Sequence, residues 1–235
     1  MIQSTPAAAR RELRRADRRD AMLDAAMTIV LDGGLDGLTI AKLAAAMGMA
    51  VGAMYRYFPS KSSLIFALQD REALALGAHL KAAGDAAVAL GPKLPPGETA
   101  LVRVFGIARH YLRHAASHPR RHHLVDATLS APKQLLDEDD GKQGAGVMDT
   151  VLEQVSVPLA TAAHYGAIRD GDALARTYIL WAAVHGFDHV RKRDRTQPRH
   201  LRAPALIELA MVDLLRGWGA AEAVITAVLA TLRLS

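Results

Sequence analysis

Cysteine is absent from the 235 residues. This excludes disulfides, thiolate metal sites and cysteine nucleophiles together. Aromatic residues are scarce, at 5%, while Ala and Leu dominate. That balance favours helices over sheets, because Ala, Leu, Arg and Met lose little on entering a helix and β-branched residues form strands. No apolar run reaches the roughly 18 residues that span a bilayer. The N-terminus is polar and Arg-rich without an apolar stretch, so neither a membrane anchor nor a secretory signal is expected, and the protein reads as cytoplasmic. No nucleophile–base pairing is visible, so no catalytic residue and no cofactor are expected.

Hydrophobic residues make up 51% of the chain, enough by composition for a core, and the length allows one large domain or a small and a medium one. The net charge of +5 is by itself only a weak pointer to an anionic partner. Its distribution says more. Residues 1–9 read as a disordered leader. Arg10, Arg11, Arg14, Arg15, Arg18 and Arg19 follow, partly offset by Glu12, Asp17 and Asp20, and residues 1–16 are expected to be a flexible basic arm. Met22, Leu23, Ala26, Met27 and Val30 then fall at helical spacing, predicting a helix to about Asp32 that ends at Gly33-Gly34.

Two short helices are predicted next. The first runs from Thr39, as N-cap, to Met47, and Gly48 stops it. The second covers Ala50–Phe58 and is broken by Pro59-Ser60. Ser60 caps a longer helix to about Gly84, whose apolar face holds Leu64, Ala67, Leu68 and Leu74. Gly91–Gly97 is a rigid connector. Further helices are expected over 98–117, 119–130, 145–165, 171–192, 203–217 and 220–233. Leu135–Gly146 reads as a mobile loop and Arg191–Arg202 as a basic one. Gly141–Gly146 has neither the spacing nor the preceding strand of a phosphate-binding loop. No strand and no internal repeat is apparent.

Two short helices joined by a glycine-containing turn fit a helix-turn-helix. Ile40, Leu43, Ala44 and Met47 would face inward on the first helix, and Met54 and Phe58 on the second. The outer face of the second is small, with Val51, Gly52 and Ala53, which permits close approach to the floor of a major groove. Tyr55, Tyr57 and Lys61 place polar ends within reach, and Lys61 opens a helix whose N–H groups attract phosphate. From these features alone, a tight helical hairpin with a solvated basic face is equally compatible.

Thr39…Ala44…Gly48-Met49…Tyr55-Arg56-Tyr57-Phe58-Pro59-Ser60-Lys61…Leu64 resembles the DNA-binding domain of the tetracycline-repressor (TetR) family over residues 17–66. The resemblance implies that Thr39, Tyr55 and Lys61 touch phosphates. It also implies that Val51, Gly52 and Ala53 lie against base edges, with Tyr57 near the backbone or a base. Phosphate contacts fix register and base contacts carry sequence preference. The arginine arm would add salt-dependent affinity or enter a minor groove; the alternative is a solvated charge run. The sequence departs from the family at Ala50, where Ser or Thr commonly caps, and at Val51 and Ala53, where polar residues are common. Apolar contact with thymine methyls is the direct mode left to those two.

The resemblance implies an all-α protein, with a helix-turn-helix domain followed by a larger effector-binding and dimerisation domain over 67–235. Gly166–Asp172 followed by Trp181…His185-Gly186 resembles the family's C-terminal type marked by Trp…His-Gly. In the family, two late helices pair across a two-fold axis; here these would be 171–192 and 203–217, with 220–233 an extension. Phe105, His110, Trp181 and His185 are the candidate effector contacts, although a packing Trp and a core His bonded to a carbonyl account better for either of the last two taken singly. His110 and His114 have the i, i+4 spacing of metal ligands, with His118, His122, His123 and Asp126 following. A zinc or nickel site needs three or four converging ligands; the stripe reads as a solvated face and no metal is expected. The expected protein is a ligand-responsive repressor, a homodimer released from a palindromic double-stranded DNA operator by a small, mostly hydrophobic molecule. A metal-dependent enzyme using residues 110–126 and a ligand-independent DNA-binding protein are the other readings.

Overall fold

The computed structural model describes residues 6–130 and 138–234, and these form ten α-helices with no strand. In order they are α1 (Pro6–Gly33), α2 (Ile40–Ala46), α3 (Val51–Met54), α4 (Lys61–Ala89), α5 (Pro96–Ser117), α6 (Pro119–Ser130), α7 (Glu138–His164), α8 (Ala173–Val190), α9 (Ala203–Gly217) and α10 (Glu222–Leu234). No helix among the described residues is long and apolar enough to cross a membrane. The chain divides into two compact units. One takes the residues up to Glu72 with those from Arg120 to Gly144, and the other takes Ala73–Pro119 with the chain from Ala145 onward. The helical partition of the sequence therefore does not follow a single cut near residue 66.

In the first unit α1 buries Met22, Leu23, Ala26, Met27 and Val30, a stripe repeating every three or four residues. The helix begins at Pro6, so residues 6–16, expected to be a leader and flexible basic arm, are helical, and the arginines up to Arg19 lie on its exposed turns. Proline suits a first helical position because its missing N–H has no intrahelical partner there. α2 and α3 add Ile40, Leu43, Ala44 and Met54, and Phe58 and Leu64 complete the core. The side chains of Glu72 and Arg121 meet at 2.6 Å, with Glu72 nearly enclosed. Gln69 donates to the Leu124 carbonyl at 3.0 Å.

Three further expectations are corrected. α3 ends at Met54, and the chain to Phe58 continues as turns, with Tyr57 and Phe58 N–H groups bonding the Met54 carbonyl at 2.9 and 3.0 Å. Pro59 disfavours helical geometry in the residue before it. Glu138–Gly146, expected in a loop, opens α7; glycine costs a helix about 1 kcal/mol per residue but, unlike proline, does not break it. The buried leucines of the distal part of α4 are Leu76 and Leu80, whereas Leu74 is half exposed.

The second unit has its core among Leu101, Val104 and Phe105 of α5, Leu159 of α7, Leu180 and Val184 of α8, Ile207 and Met211 of α9, and Ile225, Val228 and Leu232 of α10. α10, expected to be an extension, packs on α5 of its own chain. Asp172 caps α8, its carboxylate accepting from the N–H groups of Leu174 and Ala175 at 2.9 Å each, a favourable charge at a helix start. α4 and α5 approach closely at Gly106, where a β-carbon would stand 2.6 Å from that of Ala87. Only glycine permits that spacing.

Candidate nucleic-acid interface

The turn between α2 and α3 is closed by backbone geometry. Gly48 has φ 61°, and its N–H bonds the Ala45 carbonyl at 3.2 Å while that of Met49 bonds Ala44 at 2.9 Å. This paired arrangement needs a residue in the left-handed region, which glycine enters at no steric cost. At the other end of α2 the Thr39 hydroxyl accepts from the Lys42 N–H at 3.1 Å. Ala50 precedes α3 without a side-chain cap, as its methyl dictates.

Met54 is completely buried, and the opposite side of α3 is open. Val51 is 43% exposed and Tyr55 49%, while Gly52 is exposed with empty space where a β-carbon would project. Ala53 and Tyr57 are half-buried, and Tyr57 packs against the core of this unit. Lys61 is exposed at the first residue of the 29-residue helix α4. Its start is held by a reciprocal pair, Ser63 N–H to Ser60 Oγ at 2.9 Å and Ser60 N–H to Ser63 Oγ at 3.0 Å. Val51, Gly52, Tyr55 and Lys61 are thus exposed, and Thr39 and Ala53 are half-buried.

The sequence reading missed two arginine contacts to this element. Arg15 donates to the Arg56 carbonyl at 3.2 Å, and the Arg19 guanidinium lies 5.1 Å from the Phe58 ring centroid. Their spacing carried the signal: Arg15, Arg19, Met22 and Ala26 follow one helical stripe, so the arginines prolong the buried face of α1.

The second unit separates the four candidate effector contacts. Phe105 borders a cavity of about 410 Å³ with Leu112, Ile207 and Met211, and Arg109 and Glu208 stand at its edge. Trp181 and His185 stack at 5.1 Å, and His185 Nδ1 shares a hydrogen bond of 3.0 Å with the Tyr111 hydroxyl; neither borders that cavity. His110 lies instead beside His79 and His114. Burial foremost, then the charges of Arg113, His79 and His118, holds the His110 pKa below the usual histidine range.

A trihelical unit whose middle turn exposes a short, small-faced helix defines a helix-turn-helix DNA-binding domain. Residues 22–68 match the family of bacterial regulatory proteins, tetR family. This segment is a TetR-family DNA-binding domain. Over 56 residues the chain is 41% identical to the HTH-type transcriptional repressor KstR of Mycobacterium tuberculosis, a match covering 24% of this chain and 26% of that protein. The chain thus spans about a quarter of the length of the curated relatives it matches. A protein of unknown function from Rhodococcus sp. RHA1 superposes with a TM-score of 0.63 at 21% identity, covering 86% of this chain and 95% of that one. RolR in complex with resorcinol gives 0.63 at 17% identity, covering 94% and 96%. At 21% and 17% identity these two likenesses speak to the fold alone, over the parts of the chain they cover.

Proposed function

We propose that the protein is a ligand-responsive transcriptional regulator, a homodimeric repressor that leaves a palindromic operator when a small, mostly hydrophobic molecule binds its second unit. The observation that carries this is the exposed face of α3, with Val51 and Gly52 open, in a TetR-family domain that also exposes Tyr55 and Lys61. Thr39, Tyr55 and Lys61 hold phosphates. Val51 and Ala53 meet thymine methyls, and Gly52 lets the backbone come close.

Dimerisation through α8 and α9 is supported by their uncovered apolar surface. Leu174, Tyr178, Ile179 and Leu209 are 45–53% exposed, and a shallow apolar groove runs between Ile179, Ala183, Phe187, Ala210 and Leu214. Exposed apolar area of this kind is the usual mark of a partner, and a second copy supplies the two-fold symmetry that a palindrome requires. The cavity beside Phe105 is the effector site. It lies between α5 and α9, and its apolar walls of Phe105, Leu112, Ile207 and Met211 are bordered by Arg109, Arg113, Arg191 and Glu208. RolR, a neighbour in fold, is a complex with resorcinol. The effector acts by binding the DNA-free conformation more tightly, since only differential affinity moves such an equilibrium.

Selection of the purified protein against random double-stranded DNA, read by sequencing, tests this. A two-fold palindrome is expected. Salt-sensitive binding with no recovered sequence would overturn the specific-operator reading.

A further inference from the structure

Three histidines outside both proposed sites form a nearly equilateral triangle in the second unit. The rings of His79 on α4 and of His110 and His114 on α5 have centroids 6.3, 6.3 and 6.4 Å apart. One ring nitrogen from each lies within 4.8 Å of the other two.

The packing explains the convergence. Gly84 and Ala87 of α4 lie against Arg103 and Gly106 of α5, so the two helices run antiparallel from a point of unusually close approach. Further along, Leu76 and Leu80 pack on Ile107. His79 follows at the edge of that apolar contact, opposite His110, and His114 is one turn beyond on the same face of α5. His79 is exposed and the other two are half-buried. His118 extends the ladder by another turn. It stacks on His114 at 4.8 Å, and its N–H bonds the His114 carbonyl at 2.8 Å, which fixes the C-terminal edge of the cluster.

We propose that His79, His110 and His114 form a site for one divalent transition-metal ion of the zinc type, with the remaining coordination positions open to water or a ligand. Two histidines four apart on a helix present their rings to one point, and α4 supplies the third donor from a separate element, which gives the converging ligands a site needs. Three imidazoles and no carboxylate select zinc, nickel or copper over magnesium or calcium, which prefer oxygen. Bonds of about 2.0–2.1 Å in a tetrahedron place ligand nitrogens about 3.4 Å apart. Rotation of surface imidazoles supplies the contraction from the present spacing.

The test is calorimetric titration of tag-free, chelator-treated full-length protein with ZnCl2. Wild type and His200→Ala, a change at an exposed histidine away from the cluster, are expected to bind one equivalent per chain. His79→Ala and His114→Ala are expected to weaken binding by at least about tenfold, and MgCl2 to give no saturable binding. His79 is exposed, so its alanine variant is expected to keep the wild-type melting temperature and decides the matter if His114→Ala fails to fold. The visible spectrum of bound Co2+, present in wild type and lost in His79→Ala, is the second readout. Equal zinc affinity in wild type and His79→Ala, or equal loss in His200→Ala, would mean scattered surface histidines and overturn the site.

Discussion

The guanidinium of Arg19 caps the ring of Phe58 at 5.1 Å, and through this contact the basic segment of α1 becomes part of the DNA-binding domain. Phe58 is 1% exposed and ends the turn that follows α3. Arg15 reaches the neighbouring Arg56 carbonyl one turn earlier. The arginine run thus supports the recognition element mechanically as well as contributing charge.

Replacing Arg19 by Ala is expected to cost about 0.5–1 kcal/mol, the usual worth of an exposed cation–π contact. For a chain of this size that lowers the melting temperature by about 1–4 °C. Thermal denaturation followed by circular dichroism checks it, and an unchanged melting temperature would reduce the contact to coincidence.

Two glycines on either side of the turn separate folding from recognition. Gly48 has φ 61° with open space around it, so Gly48→Ala meets backbone strain alone and is expected to destabilise by about 1 kcal/mol. Gly52 is helical and also open. Gly52→Ala is expected to fold with wild-type stability or better, because alanine is the stronger helix former. Its added methyl points where DNA would lie and should change operator affinity. Equilibrium urea denaturation and fluorescence anisotropy on the selected operator distinguish the two effects.

Arg121 and Glu72 form an enclosed ion pair in the first unit, at 2.6 Å with the Glu72 side chain 9% exposed. Arg121→Ala leaves that carboxylate without its cation and is expected to cost about 1–3 kcal/mol. Adding Glu72→Gln is expected to restore a large part of the loss. A double-mutant cycle in urea measures the coupling; additive losses would show that the pair does not act as one.

The Asp70 carboxyl is pushed above the usual aspartate range by burial, and Arg19 pulls it the other way. A carboxyl with a raised folded pKa favours the folded state while protonated. That contribution is complete below the ordinary aspartate pKa and is lost as pH rises through the raised folded value. Asp70→Asn is therefore expected to melt above wild type at pH 7, with the advantage vanishing at the acid end. An advantage that persists unchanged to low pH would assign the effect to something other than ionisation.

The helices were legible wherever a periodic stripe met a defined stop. Met22 to Val30, the Thr39 cap and Gly48 gave the C-terminal half of α1, α2 and the turn after α2 closely, because each signal is local, whereas the first half of α1, from Pro6, reads as a flexible arm because its arginines carry no apolar stripe. Glu138–Gly146 was misread because glycine and acidic residues resemble loop composition, whereas helix continuity there is a property of the whole of α7. The division of labour in the second unit was not legible either. Phe105 and His110 are five apart on one helix, yet one borders the cavity and the other joins His79, which lies 31 positions earlier on α4. Only the packing of α4 against α5 at Gly106 brings those two histidines together.

The most direct test of the central claim is the salt dependence of binding to the selected operator for wild type, Lys61→Ala and Tyr55→Phe. Both side chains are exposed at the edges of α3 and α4, so both variants are expected to fold normally. Each should weaken binding across all sequences, and Lys61→Ala should in addition reduce the slope of log affinity against log salt by about one, the signature of one lost phosphate contact. Unchanged affinity and an unchanged slope in both variants would contradict the assignment of this face to DNA.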